Sequence, residues 1–365
     1  MKYGLIYYHD THNLGDDILA YAGKQFLPQV DYYIDREHLD VFIPDSREHV
    51  AVIANGWYLH YNYTFQPSPY LYPFFIGIHL SKDQILFNDY SYIDASLVKY
   101  LQNHGPIGCR DLHTAKILGE KQVPSYFSGC MTLTLQKFPD VAPNHKVILV
   151  DVPDELAEYV QNLLPEREIL CKTHRLQEDE AKLQWDIREK RLIEYLKLYQ
   201  GADLVVTTRL HCALPCLALG TPVLFIANFN EDYEIRIKSF SEYFPCYSAE
   251  DILQHKADSN LQNPQPPKSA EKLAAPLIEK CNEFIQNTIS TPPENAALPK
   301  LSDYQELYID RTQYMRYTIN CLYQIRYHLS QQLAVHTADI NKTVDLCNKV
   351  IAENEELKQR LKELS

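Results

Sequence analysis

Short apolar runs alternate along the chain with longer stretches in which apolar residues return every three or four positions. Residues 2–8 form the first such run and predict a buried strand ending in the polar segment 9–13. Gly15 punctuates the chain, and Asp16 and Asp17 open a helix carried by Ile18, Leu19, Tyr21, Ala22 and Phe26. Acidic residues in a first turn complement the positive end of the helix dipole, so they mark a start. Residues 50–54 read as a second strand closed by Asn55 and Gly56, and 73–78 and 107–109 as further strands. A helix beginning at Asp111, with Leu112, Ala115, Ile117 and Leu118 apolar, stops at Gly119.

The pattern then begins again. Strands are predicted at 147–152, 169–172, 204–206 and 222–226, with helices at 155–164, 178–200 and 211–219. Strands alternating with helices at this spacing build βαβ units and parallel sheets. The expected fold is therefore α/β, with two Rossmann-like doubly wound domains over residues 1–140 and 141–257, joined near 139–145 and facing a cleft. Ligands of such folds lie beyond the carboxyl ends of the strands. Residues 258–302 are proline-rich and read as a connector with one helix at 270–287, followed by a tyrosine-rich packing helix over 303–338. In 339–365, Ile340, Cys347, Asn354 and Leu361 recur every seven residues, with Thr343, Val350, Leu357 and Leu364 between them. Asn at one a position and Leu at neighbouring d positions favour a parallel homodimer, and Glu353 and Lys358 suit a pair between the helices. The other reading of this segment is a solvated helix that packs on its own domain.

Composition narrows the function classes. A net charge of −13 and the lack of any long Lys/Arg run exclude a general nucleic-acid surface, while a few cations in one cleft still suit a small anion. Nine cysteines show no paired zinc spacing and fit free thiols in a reducing compartment. No leader precedes the first strand and no apolar run is long enough to span a membrane, so a cytoplasmic location is expected. Tyr58, Tyr61, Tyr63, Tyr70 and Tyr72 cluster in a segment that suits either packing onto the domain or contact with a sugar ring. His9 and His12 near Asp16 and Asp17 do not make a convincing metal set, and no metal or other cofactor is expected.

The chemistry concentrates in residues 202–226, ADLVVTTRLHCALPCLALGTPVLFI. A buried strand ends at Thr207–Thr208, Arg209 and His211 follow at its lip, and an apolar helix begins at once. A cation, an imidazole and a helix amino end together favour an anion. The alternative is that Arg209 pairs with a structural carboxylate and His211 caps the helix.

The run Thr207-Thr-Arg-Leu-His211, continued by Leu219-Gly-Thr-Pro-Val223, resembles the signature of the polysaccharide pyruvyl transferase family. Asn13-Leu-Gly-Asp-Asp17 is similar to that family's amino-terminal Asn-x-Gly-Asp element, and Arg110-Asp111 with Thr114 to its Arg-Asp-x-x-(Ser/Thr) element. The likeness covers about residues 1–240, with the three elements in order. It implies a fold similar to the GT-B glycosyltransferases, with an acceptor-side first domain and a donor-side second domain. The implied reaction moves the enolpyruvyl group of phosphoenolpyruvate onto two hydroxyls of a sugar or lipid-linked oligosaccharide as a ketal, in the making of a cell-surface polysaccharide such as a capsule. By that likeness Arg209 and His211 are catalytic and Thr208 and Leu210 line the donor. A small trianion calls for guanidinium partners, and proton transfer near neutral pH calls for an imidazole acting as general acid or base.

Arg236 and Lys238 are candidates to complete a cationic donor pocket; the other reading is a pair of solvated helix charges. Asn13, Gly15, Asp16, Asp17, Asn55 and Arg110 are acceptor-side or loop candidates, with a structural role for the acidic pair and an internal ion pair for Arg110 as the alternatives. Two departures fall in this half: Asn55-Gly-Trp57 stands where the family carries a glycine-rich run, and Ser128-Gly-Cys130 where it carries Asp-Pro. Two other functions fit the same scaffold: a nucleotide-sugar glycosyltransferase, and a non-catalytic partner of polysaccharide assembly.

Overall fold

The computed structural model of the chain describes residues 1–46, 48–58, 67–82, 90, 93, 95–290, 322, 326, 329–330, 332–333 and 335–352. Its first half is a sheet of β1 (Lys2–Tyr7), β2 (Tyr32–Asp35), β3 (Val50–Tyr58), β4 (Leu71–Leu80), β5 (Ile107–Cys109) and β6 (Ser125–Phe127), in the order β2-β1-β3-β4-β5-β6. The second sheet holds β7 (Val147–Val150), β8 (Ile169–Lys172), β9 (Leu204–Thr207), β10 (Val223–Ile226) and β11 (Cys246–Tyr247), in the order β11-β10-β9-β7-β8. All strand pairs in both sheets are parallel. In each sheet the first strand has the second on one side and the third on the other. The order thus reverses between β1 and β3 and between β7 and β9, where doubly wound sheets open a crevice at the carboxyl edge.

The helices are α1 (Leu14–Lys24), α2 (Ala95–Asn103), α3 (Leu112–Glu120), α4 (Asp154–Leu163), α5 (Glu178–Ala181), α6 (Trp185–Gly201), α7 (Leu210–Leu219), α8 (Ala249–Leu253), α9 (Asp258–Gln262) and α10 (Glu271–Ser290). The inner faces of the two sheets share one core, in which Leu5, Ile18 and Met131 of the first half meet Leu196, Val205 and Leu214 of the second. The outer faces bury Val52, Ile78 and Leu101 in one cluster, and Leu149, Val160 and Leu224 in another. A core common to both sheets holds their carboxyl edges in a fixed relation, which a site built from both halves requires.

Several elements differ from the sequence expectation. The strand expected at 50–54 continues to Tyr58 through a bulge at Ala54/Gly56, where Gly56 takes φ +112°, a conformation open to glycine. The helix expected at 178–200 breaks into α5 and α6, because Gln184 is extended and starts a new helix. Helix α10 does more than connect. Leu277, Cys281 and Ile285 are buried, Phe284 stacks on Phe74 at 5.0 Å, and Tyr3 Oη lies 3.1 Å from Thr288 Oγ1. Tyr58 and Tyr70 are buried, while Tyr61 and Tyr63 lie outside the described residues. The described turns at 335–352 are helical and exposed throughout, Ile340 and Val350 included; the remaining seam residues Asn354, Leu357, Leu361 and Leu364 lie outside the described residues, as does most of 303–338. Among the described residues no helix is long and apolar enough to cross a membrane.

Candidate functional site

A cleft of ≈ 320 Å³ opens beyond β9 and β10, lined by residues that include Asn13, His174, Thr208, Arg209, His211 and Arg236. It lies at the order reversal between β7 and β9. There Asp151, the residue after β7, adopts a left-handed φ of 52°, unusual outside glycine though tolerated by Asp. Its carboxylate receives Arg209 Nε at 2.6 Å, Thr173 Oγ1 at 2.6 Å and the His174 amide at 3.1 Å. Burial pushes the Asp151 carboxyl up, but these hydrogen bonds outweigh it and hold the group below the usual carboxylate range. Arg209 stands at the N-cap of α7, lines the cleft and stays partly exposed, its Nε fixed by Asp151. The pairing expected as an alternative to a ligand role is thus present, and it orients the guanidinium while leaving two nitrogens uncommitted.

His211 follows at the first turn of α7, where its φ of −81° and ψ of 17° depart from helical values. The ring is buried and its Nε2 has no hydrogen-bond partner. Burial, then the charges of Arg110 and Arg236, hold its proton affinity well below that of free histidine, so the imidazole is neutral at pH 7. Gly15 explains how the ring fits. A Cβ there would stand 2.9 Å from His211 Cβ and 3.2 Å from its Nδ1. Gly15 has no left-handed φ; its lack of a side chain lets α1 of one half abut the imidazole of the other.

Arg110, directly after β5, is wholly buried. None of its three guanidinium nitrogens has a hydrogen-bond partner, and Asp111 Oδ2 stands 3.8 Å from Nε. Burial and the nearby Arg236 charge lower its proton affinity, and it acts in turn on His211 and on His79. Arg236 approaches from the segment after β10, with Nη1 on Asp232 at 3.1 Å, Nε buried and unpartnered, and its guanidinium 5.5 Å from the Trp57 ring centre. His79 Nδ1 lies 2.6 Å from Asp111 Oδ2, and burial and Arg110 bring its pKa down to about 4. Three arginines and two neutral imidazoles therefore converge from both sheets, with Asp111 and Asp151 as the carboxylates bonded among them. Uncommitted N–H groups in such a setting suit a small anion.

Residues 13–230 match the sequence pattern of polysaccharide pyruvyl transferase. The chain belongs to that family.

This pyruvyl transferase resembles several solved structures distantly. A protein of Klebsiella pneumoniae subsp. pneumoniae NTUH-K2044, described as a functional uncharacterized protein, is 14% identical with a TM-score of 0.42, covering 68% of this chain and 93% of its own. The wall teichoic acid polymerase TagF is 11% identical with a TM-score of 0.35, covering 87% of this chain and 90% of its own. A search of curated proteins finds no significant match.

The other residues singled out in the pyruvyl transferase sequence fall into two groups. Thr208 and Leu210 line the cleft, and Asn13 lines it too while its Oδ1 caps α1 by accepting the Gly15 amide at 3.1 Å. The rest lie elsewhere. Asp17 is buried and clamped by Arg188 Nε and Nη2, which ties α1 to α6; Asp16 accepts from Thr11 Oγ1 at 2.6 Å and faces Arg36. Asn55 donates to the Leu19 carbonyl at 2.9 Å and holds α1 on the sheet. Lys238 pairs with Glu234 in solvent, outside the donor pocket it was expected to complete. His174, which lines the cleft, and Asp151 and His79, which lie against its arginines, were passed over in the sequence reading. A strand-end position was their one available signal, and Asp151 was read as part of its strand. Among the described residues no cluster of His, Cys, Asp and Glu forms a metal site.

Proposed function

We propose that this pyruvyl transferase uses phosphoenolpyruvate as donor and a hydroxyl pair of a saccharide, free or lipid-linked, as acceptor, on the cytoplasmic side of cell-surface polysaccharide synthesis. The supporting observation is the buried Arg110 guanidinium with no hydrogen-bond partner, set among Arg236, Arg209 and His211. A buried cation without a partner is costly, and a small multivalent anion offsets that cost. Arg209, Arg110 and Arg236 would clamp the carboxylate and phosphate. One sugar hydroxyl oxygen bonds to C2 of the donor while the methylene carbon gains a proton and becomes a methyl group. The second hydroxyl then displaces phosphate from C2, and its proton leaves with the phosphate. His211 is neutral in the free site and so takes a hydroxyl proton as base; the negative donor raises its proton affinity and lets it return that proton to carbon. The acceptor enters from the 1–140 side, and the C-terminal seam at Ile340, Cys347 and Val350 pairs with a second copy.

Isothermal titration of phosphoenolpyruvate into the wild type and Arg209→Ala tests the reading. Saturable binding that is lost in the variant is expected. Binding of a nucleotide sugar in place of phosphoenolpyruvate would overturn it in favour of a glycosyltransferase.

A further inference from the structure

We infer that His174 is a further imidazole of the donor site, presenting a neutral Nδ1–H to an anionic oxygen of the substrate, with its tautomer set by Tyr199. This rests on the donor reading above and adds a binding residue to it.

His174 follows β8, on the far side of β7 from Arg209, and lines the same cleft as Arg209 and His211. Its main chain is tied on both sides. The amide donates to Asp151 Oδ2 at 3.1 Å, and the carbonyl accepts from the Leu14 amide at 2.8 Å, which docks the segment on the loop that starts α1. The ring is packed against Tyr195 and Tyr199 at 6.1 Å between ring centres and has no exposed surface. One ring nitrogen is used: Nε2 lies 2.7 Å from Tyr199 Oη. The other, Nδ1, is buried and has no partner. A buried polar atom left unmatched beside a cleft calls for a ligand in place of the missing partner.

The direction of the Tyr199 bond follows from what surrounds the phenol. Its other polar neighbour is the Cys212 thiol, with Cys216 next to Cys212 in the same helix. An imidazole nitrogen accepts far better than a thiol sulfur, so the phenol O–H donates to Nε2 and the thiol turns its weak S–H towards the phenol oxygen. Nε2 is then the acceptor and Nδ1 carries the proton. Burial brings the ring's pKa down to about 4, with Asp151 opposing and Arg209 assisting, so the ring remains neutral at pH 7. A neutral donor adds a hydrogen bond to an anion without bringing another charge into a site that already holds several guanidinium groups.

Two measurements on the full chain test this. Long-range ¹H–¹⁵N correlation on protein labelled at histidine reads each tautomer, with His174→Gln assigning the signal. Nδ1–H is expected, with a shift of that signal on adding phosphoenolpyruvate; an Nε2–H form would overturn the inference. Tyr199→Phe removes the hydroxyl and keeps the ring, freeing His174 to take the Nε2–H form and turn a lone pair to the anion. It should bind phosphoenolpyruvate about tenfold more weakly, the loss of roughly one charge-assisted hydrogen bond, with its circular dichroism unchanged. Unchanged affinity in a folded variant would also overturn the inference. If the wild type does not bind phosphoenolpyruvate, the donor reading fails by itself. Inorganic phosphate is then the probe, and a His174 signal unmoved by saturating phosphate rejects the role of His174 separately.

Discussion

Replacing Arg110 by methionine should make the free protein more stable while abolishing donor binding. The side chain is wholly buried, its three nitrogens lack hydrogen-bond partners, and Asp111 at 3.8 Å gives only a loose ion pair. Taking a guanidinium out of water costs several kcal/mol after relaxation, and that cost is recovered only when its N–H groups are matched. Methionine is of similar length, carries no charge and adapts to irregular space. Exchanges of poorly compensated buried ions for apolar side chains gain about 1–4 kcal/mol, and a gain in that range is expected here. Asp111 limits the gain, because its carboxylate would keep only the His79 and Thr114 bonds. Differential scanning calorimetry without ligand should show a higher melting temperature for Arg110→Met than for wild type. Phosphoenolpyruvate should raise the wild-type transition and leave that of the variant in place. A variant that melts lower by the equivalent of more than about 1 kcal/mol would show that Arg110 is satisfied within the fold. The claim that it awaits an anion would then be wrong.

Acid should weaken the fold well before its carboxylates titrate. His79 and His174 have folded pKa values of about 4, below the free value, so from about pH 6.5 down to 4 the unfolded chain binds protons that the folded chain refuses. Stability therefore falls with pH across that window, by about 2 kcal/mol per imidazole at pH 5, and equal stability by urea titration at pH 7.5 and 5 would refute this. Gly15→Ala puts a methyl group 2.9 Å from His211 Cβ and should cost about 1–3 kcal/mol while displacing the ring. Turnover should drop further than stability alone explains, and wild-type turnover would show that His211 tolerates the shift. Asp17→Asn leaves Arg188 buried without its carboxylate and should cost about 3–5 kcal/mol, whereas Asp17→Leu with Arg188→Met should recover most of it. A double variant no more stable in chemical denaturation than the single one would argue against a purely structural pair.

The strand and helix pattern was legible because each sheet is buried on both faces, so that strands such as β7, β9 and β10 stand out as unbroken apolar runs between polar turns. The edge strands β2 and β11 were not: both are short and only partly buried, and nothing in their composition separates them from loop. The motif around Arg209 and His211 was legible as well, since a strand end, a cation, an imidazole and a helix start are adjacent in the chain. The partners of these residues were not legible. Asp151, His174, Arg110 and Gly15 reach the site from four other strand ends and loops, between 37 and 196 positions away from His211 along the chain; Arg110 and Gly15 were singled out in the sequence, but not as neighbours of His211.

The sequence alone therefore determined two parallel α/β sheets and one anion-seeking strand end, both of which rest on local periodicity and nearest-neighbour chemistry. Only the tertiary structure decided which charges are spent and which remain free. Asp17 and Asn55 are committed to partners distant in sequence, Asp16 and Lys238 are paired nearer by, and Arg110 is left without a hydrogen bond. A side chain's availability depends on what the rest of the chain brings within about 3 Å of it. That is a property of packing, and the order of residues does not display it.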